Sequence, residues 1–308
     1  MSFLLKEKIK VGISACNFGA LVRWNGRGWD RTAELGREKD NFTWTPVCPE
    51  VNSGLGVKRL PVRLAGGNGD DFWSGNAKMK NRRGMDVSEQ VKEGLMRSLD
   101  ILHRAGVEAF IFMEGSPSCG VYRTTLKERR LGKPPGAFGS LLLKERFFLI
   151  PAVDLDSPVK WWDWRRRLHA YAWLMREPIS SKKHLYDVWH LFKFICQEVD
   201  VKAAAEIGRR LASMPQSFSV EFAEAWRKDV LQLLRKPSSL ARIHSIMLKH
   251  YAHYRKHFNP AAREVRAPRS DMAKHAFVKE LLDMEKKAVL EDYDFAGTPV
   301  IFRSEERT

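Results

Sequence analysis

Only four cysteines occur among 308 residues, and no two of them form a Cys-x-x-Cys pair. The low count excludes a disulfide-built scaffold, and the missing pair removes the usual framework of a structural zinc site. No run of about 18 apolar residues is present, which excludes a membrane-spanning helix. The opening Met-Ser-Phe-Leu-Leu-Lys-Glu-Lys has an apolar stretch too short for a secretory signal. A reducing cytoplasm is therefore the expected compartment, and there cysteines are more often metal-binding or catalytic than bridged. The sequence also lacks internal repeats, low-complexity tracts and heptad runs, and it offers no helix-turn-helix pattern that would suggest a DNA-binding sensor. No histidine stands beside Cys16, Cys48 or Cys119, so a Cys–His nucleophile has no neighbouring base.

Acidic residues are under-represented as well. Against 53 Lys and Arg stand 37 Asp and Glu, a formal net charge of +16, and the excess is spread over both halves of the chain. A basic excess carried by a folded protein points to a polyanionic partner, with nucleic acid the obvious candidate; a charge kept only for solubility is the plain alternative. Hydrophobic residues at 44% and aromatics at 11% supply enough core for one large or two ordinary domains.

The first half alternates strand and helix signals. Residues 8–15 (KIKVGISA), 42–47 (FTWTPV) and 107–113 (VEAFIFM) read as buried strands, and 57–64 as a strand of alternating apolar and basic residues. Residues 86–105 carry Val87, Val91, Leu95, Leu99 and Leu102 at helical spacing, with Asp86 or Ser88 as cap and Gly106 as stop. Strand, crossover helix, strand predicts a parallel α/β sheet of Rossmann-like three-layer type. Residues 151–158 read as a connector. Beyond them helices are predicted over 184–199, 201–214, 220–235, 239–258 and 272–290, with Pro215, Pro237 and Pro260 in the breaks; residues 291–308 read as a tail. The fold class is thus an α/β N-terminal domain (1–178) followed by an all-α C-terminal domain (179–308).

Cys16, Cys48 and Cys119 each follow a strand-like run and sit among turn formers. In parallel sheets ligands bind beyond the carboxyl ends of the strands, so the three sulfurs are expected at one sheet edge. Three thiolates with no evident fourth ligand suit an iron–sulfur cluster with one iron open to substrate. Three inert buried cysteines are the alternative, and Cys196, within a helical stretch, is read that way.

Ser14-Ala15-Cys16, Val22-Arg23-Trp24-Asn25-Gly26, Cys48-Pro49-Glu50-Val51, Gly54-Leu55-Gly56-Val57 and Ser116-Pro117-Ser118-Cys119-Gly120 follow in order. Over roughly residues 8 to 145 this pattern resembles the thiouracil desulfidase (TudS) family, and Pro134-Pro135-Gly136-Ala137-Phe138-Gly139 resembles its later glycine-rich segment. The resemblance implies a [4Fe-4S] cluster held by Cys16, Cys48 and Cys119, with the fourth iron open to the sulfur of a thiolated base. It also implies that Glu50 and Ser116 act in catalysis. The plain readings are a capping carboxylate and a turn hydroxyl. Arg23, Arg59 and Arg123 are candidates for substrate contact, each equally readable as a solvated charge. The sequence departs from the family pattern at Asn17, at Trp24-Asn25, at Lys58 and at Glu114-Gly115.

A desulfidase domain followed by helices resembles the longer, RudS-type members, which carry a YbgA-type C-terminal domain. Residues 205–210 (AEIGRR), 242–244 (RIH) and 250–254 (HYAHY) look like its better-marked positions. The longer form implies removal of sulfur from 4-thiouridine in tRNA; the short form implies a free thiolated nucleobase or nucleoside as substrate. The stretch Arg227–His257 is rich in Lys, Arg, His and Tyr and reads either as a nucleic-acid surface or as ordinary helix faces. Trp161, Trp162, Trp164 and Trp173 read as core at the interface between the two domains in preference to base-stacking platforms.

Overall fold

The computed structural model describes residues 4–122, 125–126, 129–130, 134–214, 217–259, 270–291, 293 and 301–302. Arg123, Lys133, Pro215, Pro260 and most of 291–308 lie outside the described residues. The chain divides into two compact units, Lys8–Asp156 and Met1–Glu7 with Ser157–Thr308.

The first unit contains β1 (Ile9–Ser14), β2 (Phe42–Val47), β3 (Val62–Ala65), β4 (Lys78–Asn81), β5 (Ala109–Phe112) and β6 (Phe148–Pro151), with α1 (Pro49–Asn52), α2 (Gly69–Trp73), α3 (Ser88–Arg104) and α4 (Ala137–Lys144). Four strands form a parallel sheet in the order β2-β1-β5-β6; β3 and β4 make a separate antiparallel ribbon. The chain leaves β1 for β2 on one side and later returns to β5 on the other. That reversal at β1 is the switch point at which open parallel sheets bind ligands. All four residues of β5 and all four of β6 are buried, as the continuous apolar runs of a sheet covered on both faces require.

Several elements differ from expectation. The strand read over 57–64 begins only at Val62, because Lys58 takes a left-handed φ of 58° and Pro61 has no N–H for a ladder. β6 has no counterpart in the sequence reading, which placed a connector at Pro151. Neither Asp86 nor Ser88 caps α3. Its N-cap is Val87 with no side-chain bond, while Asp86 accepts from the Ser88 amide and Ser88 Oγ from the Met79 amide. Gly106 ends the helix as expected, at φ 62°.

The second unit holds α5 (Pro158–Arg176), α6 (Lys182–Val199), α7 (Val201–Ala212), α8 (Val220–Leu234), α9 (Leu240–Phe258) and α10 (Asp271–Leu290), with Leu4–Leu5 paired in parallel to Ile301–Phe302. Ser157, Ser181, Asp200, Ser219 and Ser239 each accept a bond from an amide of the first turn of the helix they precede, worth about 1 kcal/mol per cap. The division falls at Asp156, ahead of the boundary expected at 178, because α5 packs on α8, α9 and α10. Its tryptophans Trp161, Trp162, Trp164 and Trp173 are buried; Trp162 joins Ile243, Met247, Tyr254 and Leu281 in one core cluster. Among the described residues no helix is long and apolar enough to cross a membrane.

Candidate active site

Cys16 lies in the turn that follows β1, Cys48 directly follows β2, and Cys119 lies in the loop after β5. These three strands are neighbours, so their carboxyl ends bring the three thiols to one edge. All three line a cavity of about 140 Å³ together with Arg23, Trp24, Glu50, Arg59, Glu114 and Ser116. None is in a disulfide.

Each cysteine loop is pinned by the main chain. The Trp29 amide donates to Cys16 O at 2.7 Å, and Ser14 Oγ accepts from the Met113 amide at 3.0 Å, tying the end of β1 to that of β5. The Cys119 loop is gripped by the segment at the start of α4. Gly136 donates to Gly120 O, Ala137 to Pro117 O, and Phe138 and Gly139 to Ser118 O. A Cβ at residue 139 would stand 2.2 Å from Gly120 O, so glycine is what permits this approach. The glycine-rich segment thus serves the third cysteine by donating the otherwise unpaired amides of a helix start.

Glu50 sits on α1, whose Pro49 presets the first helical φ. The short helix is held on α3, where Asn52 Nδ2 donates to Ser98 Oγ at 2.9 Å. A Cβ at residue 94 would lie 2.1 Å from Ser53 Oγ, so Gly94 admits α1 to this seat. The carboxylate is then clamped. Arg59 donates from Nε at 2.8 Å and from Nη2 at 2.5 Å to Oε2, and Ser118 Oγ donates to Oε1 at 2.9 Å. Arg59 Nη1 binds Val22 O and Gly56 O. Arg59, expected to meet substrate, is therefore committed to Glu50 and to two loops. Ser118 has no role assigned in the sequence reading, which names it only within the Ser-Pro-Ser-Cys motif; that place beside Cys119 is its signal. Ser116 Oγ accepts from the Ser118 amide at 3.2 Å and the Cys119 amide at 3.0 Å. It shapes the turn, and both lone pairs being engaged leaves its O–H as the group available to the cavity.

Burial pushes the Cys16 thiol up to about 11, the neighbouring Cys48 adds to this, and Arg23 opposes it. Burial likewise raises Cys48, and raises Cys119 well above the usual range, with Cys48 and Cys16 adding to the effect and the Ser14 hydroxyl opposing it. Burial thus opposes ionisation of all three, Cys48 adds to the effect at Cys16 and at Cys119, and a compensating cationic centre would relieve it. Among the described residues no three His, Cys, Asp or Glu side chains are grouped to hold a single metal ion. An all-sulfur donor set spread round one cavity fits a polynuclear iron–sulfur group better than one ion. Asn17, beside Cys16, is fully buried with neither Oδ1 nor Nδ2 hydrogen-bonded.

Arg23 lines the cavity and lies 4.3 Å from the ring centroid of Trp29. Arg123 lies outside the described residues. Glu114 is buried at the cavity wall. In the helical unit, much of the basic stretch 227–257 turns inward. Arg227 donates to Glu177 O and Glu224, Arg242 to the carbonyls of Gln197 and Glu198, and Arg255 to Tyr251. His250, Tyr251 and Tyr254 are buried. Exposed Lys228, Lys249 and Lys256 remain as surface charge. Cys196 is fully buried, and that burial raises its thiol.

A profile of the 2-thiouracil desulfurase family matches residues 11–154. The uncharacterized protein YbbK of Bacillus subtilis (strain 168) is 30% identical over 148 residues, 47% of this chain and 97% of that protein. A solved structure, the [4Fe-4S]-dependent thiouracil desulfidase TudS, is 28% identical over 47% of this chain and 90% of that chain, with a TM-score of 0.35. The profile spans the unit that carries the cavity, and YbbK is covered almost from end to end; by these matches the chain belongs to the 2-thiouracil desulfurase family.

Proposed function

We propose that this chain is a hydrolytic desulfidase that converts the C=S of a thiolated uracil to C=O. The convergence of Cys16, Cys48 and Cys119 with a clamped Glu50 on one cavity carries the reading. The three cysteines would hold a [4Fe-4S] cluster, leaving one iron without a protein ligand. When bound, such a cluster supplies a soft Lewis acid for a thiocarbonyl sulfur.

The remaining roles belong to side chains. Arg59 takes both acceptor sites of Glu50 Oε2 and Ser118 takes one of Oε1, so the second site on Oε1 is the one left to accept a proton from water. Ser116 offers its O–H to the base or to the developing tetrahedral centre. The reaction balances as water plus thiocarbonyl giving carbonyl plus hydrogen sulfide, with no net electron transfer.

The finer substrate is 4-thiouridine in tRNA. The net charge of +16 supports it, and so does the resemblance of the helical segment's motifs to the YbgA type, read as an RNA-contacting module working in the cytoplasm. A free thiolated nucleobase or nucleoside is the second reading, favoured by the family's description.

The test is anaerobic. Protein reconstituted with iron and sulfide is given tRNA containing 4-thiouridine, or free 4-thiouracil, and loss of the thio-base is followed with sulfide release. Stoichiometric sulfide is expected; none from either substrate, with the cluster intact, overturns the proposal. Glu50→Gln is expected to keep iron and lose roughly 10²–10⁴-fold in rate, and a near wild-type rate removes Glu50 from the chemistry. Arg59→Lys keeps the charge but not the two-pronged clamp. It is expected to lower kcat with KM little changed, whereas a rise in KM alone would restore Arg59 to substrate binding.

A further inference from the structure

We infer that the loop following Cys16 is a stacking ledge for an RNA strand, binding the nucleotide next to the base held in the cavity. Trp24 lines the cavity yet is 44% exposed, and Trp29 is also 44% exposed. Leu21, Val57 and Leu60 are exposed on the same loop and on the one that carries Arg59. Single exposed apolar residues need no explanation, but a cluster at a cavity mouth marks a binding surface.

The ledge is rigid, not a disordered tip. The Arg23 amide donates to Arg27 O, Gly26 to Arg23 O, Gly19 to Trp29 O and Trp29 to Cys16 O. Arg59 Nη1 donates to Val22 O. Indole rings held in place lose little entropy when a base stacks on them.

The cations suit a phosphodiester. The Arg23 guanidinium lies 4.3 Å and that of Arg31 6.0 Å from the Trp29 ring centroid. Arg27 and Lys58 are exposed, and Lys58 packs against Gly26. The loop's one acid, Asp30, is engaged by Thr32 and Lys39. Exposed aromatic faces interleaved with arginine are how single-stranded nucleic acid is held without reading its sequence. A free base filling the cavity would meet Trp24 and Arg23 but leave Trp29 and Arg27, which do not line it, unused.

The inference deepens the desulfidase reading by choosing a strand over a free base, and it rests on that reading for what the cavity holds. Its test uses binding. The full chain is titrated, by calorimetry, with a five-nucleotide single-stranded RNA carrying a central 4-thiouridine, and with the free 4-thiouridine nucleoside. Trp29→Ala is expected to weaken strand binding roughly ten- to hundredfold and nucleoside binding far less, whereas Trp24→Ala, at a residue that also lines the cavity, is expected to weaken both. Trp29→Phe, which keeps an aromatic face, is expected to retain most of the strand affinity. For Trp29→Ala, parallel losses for strand and nucleoside, or no loss for the strand, overturn the ledge. Failure of the desulfidase reading would show separately, as no sulfide released by the wild-type chain, and the Trp variants would still decide strand binding.

Discussion

Alanine at Cys16, Cys48 or Cys119 is expected, one at a time, to leave the chain with little of the iron and acid-labile sulfide that the reconstituted wild type carries. The physical ground is the shared cavity. Three thiols whose burial opposes ionisation, in Cys16 and Cys119 with Cys48 adding to it, form a donor set that works as a whole. Removing one withdraws both a ligand and part of the charge that a cationic centre would balance. Iron and sulfide per chain, with visible absorbance after desalting, make the measurement. Cys196→Ala is the control. That cysteine is buried in the helical unit, away from the cavity lining, and its variant should load fully while losing about 1 kcal/mol of stability to the cavity left behind. A full complement in any of the three variants would remove that residue from the ligand set. Because cysteine and alanine differ little in volume, loss of iron with retained secondary structure would mark ligation and not unfolding.

Glu198→Ala is expected to cost the helical unit about 3–5 kcal/mol at neutral pH. Burial alone pushes the Glu198 carboxyl up, but Arg166 and His250 outweigh it and hold the group down at about 2, against 4.5 when unfolded. Arg166 Nη2 lies 2.7 Å from Oε2 and His250 Nε2 lies 2.6 Å from Oε1. Folding therefore favours the ionised carboxylate. Its contribution is fully present above about pH 4.5 and is lost as pH falls through about 2, a difference on the order of 3 kcal/mol. Alanine removes the carboxylate that bonds both Arg166 and His250, and Glu285, which lies 3.9 Å from His250 Nδ1, does not replace those two bonds. Urea unfolding across that pH range should show a steep fall for the wild type and a shallower one for Glu198→Gln. A loss below about 1 kcal/mol for the alanine variant would mean that water or Glu285 satisfies Arg166.

The same residues show where sequence reasoning stops. Arg165, Arg166 and Arg167 form an unbroken run of charge, yet all three are buried. Their partners Glu285, Glu198 and Asp163 lie on α10, on α6 and one turn away on α5. Only the last is visible to a local rule. His250, Tyr251 and Tyr254 read as candidates for stacking on bases, but they pack in the core with α10. Helical periodicity says that residues share a face, not whether another helix covers it.

What the sequence determined by itself is local. Apolar runs ending in turn formers placed the three cysteines at strand ends, because hydrophobic continuity and turn chemistry act within a few residues. Apolar periodicity placed helices over 184–199, 201–214, 220–235 and 239–258, because the spacing along one helix is a local property. Tertiary structure alone decided the rest. It set Arg59 and Ser118 on opposite oxygens of Glu50, made Phe148–Pro151 the fourth strand, moved α5 into the helical unit and left Trp24 and Trp29 uncovered on a pinned loop. Each of these depends on groups far apart in the chain, whose meeting is fixed by packing and charge balance that no short window of sequence contains.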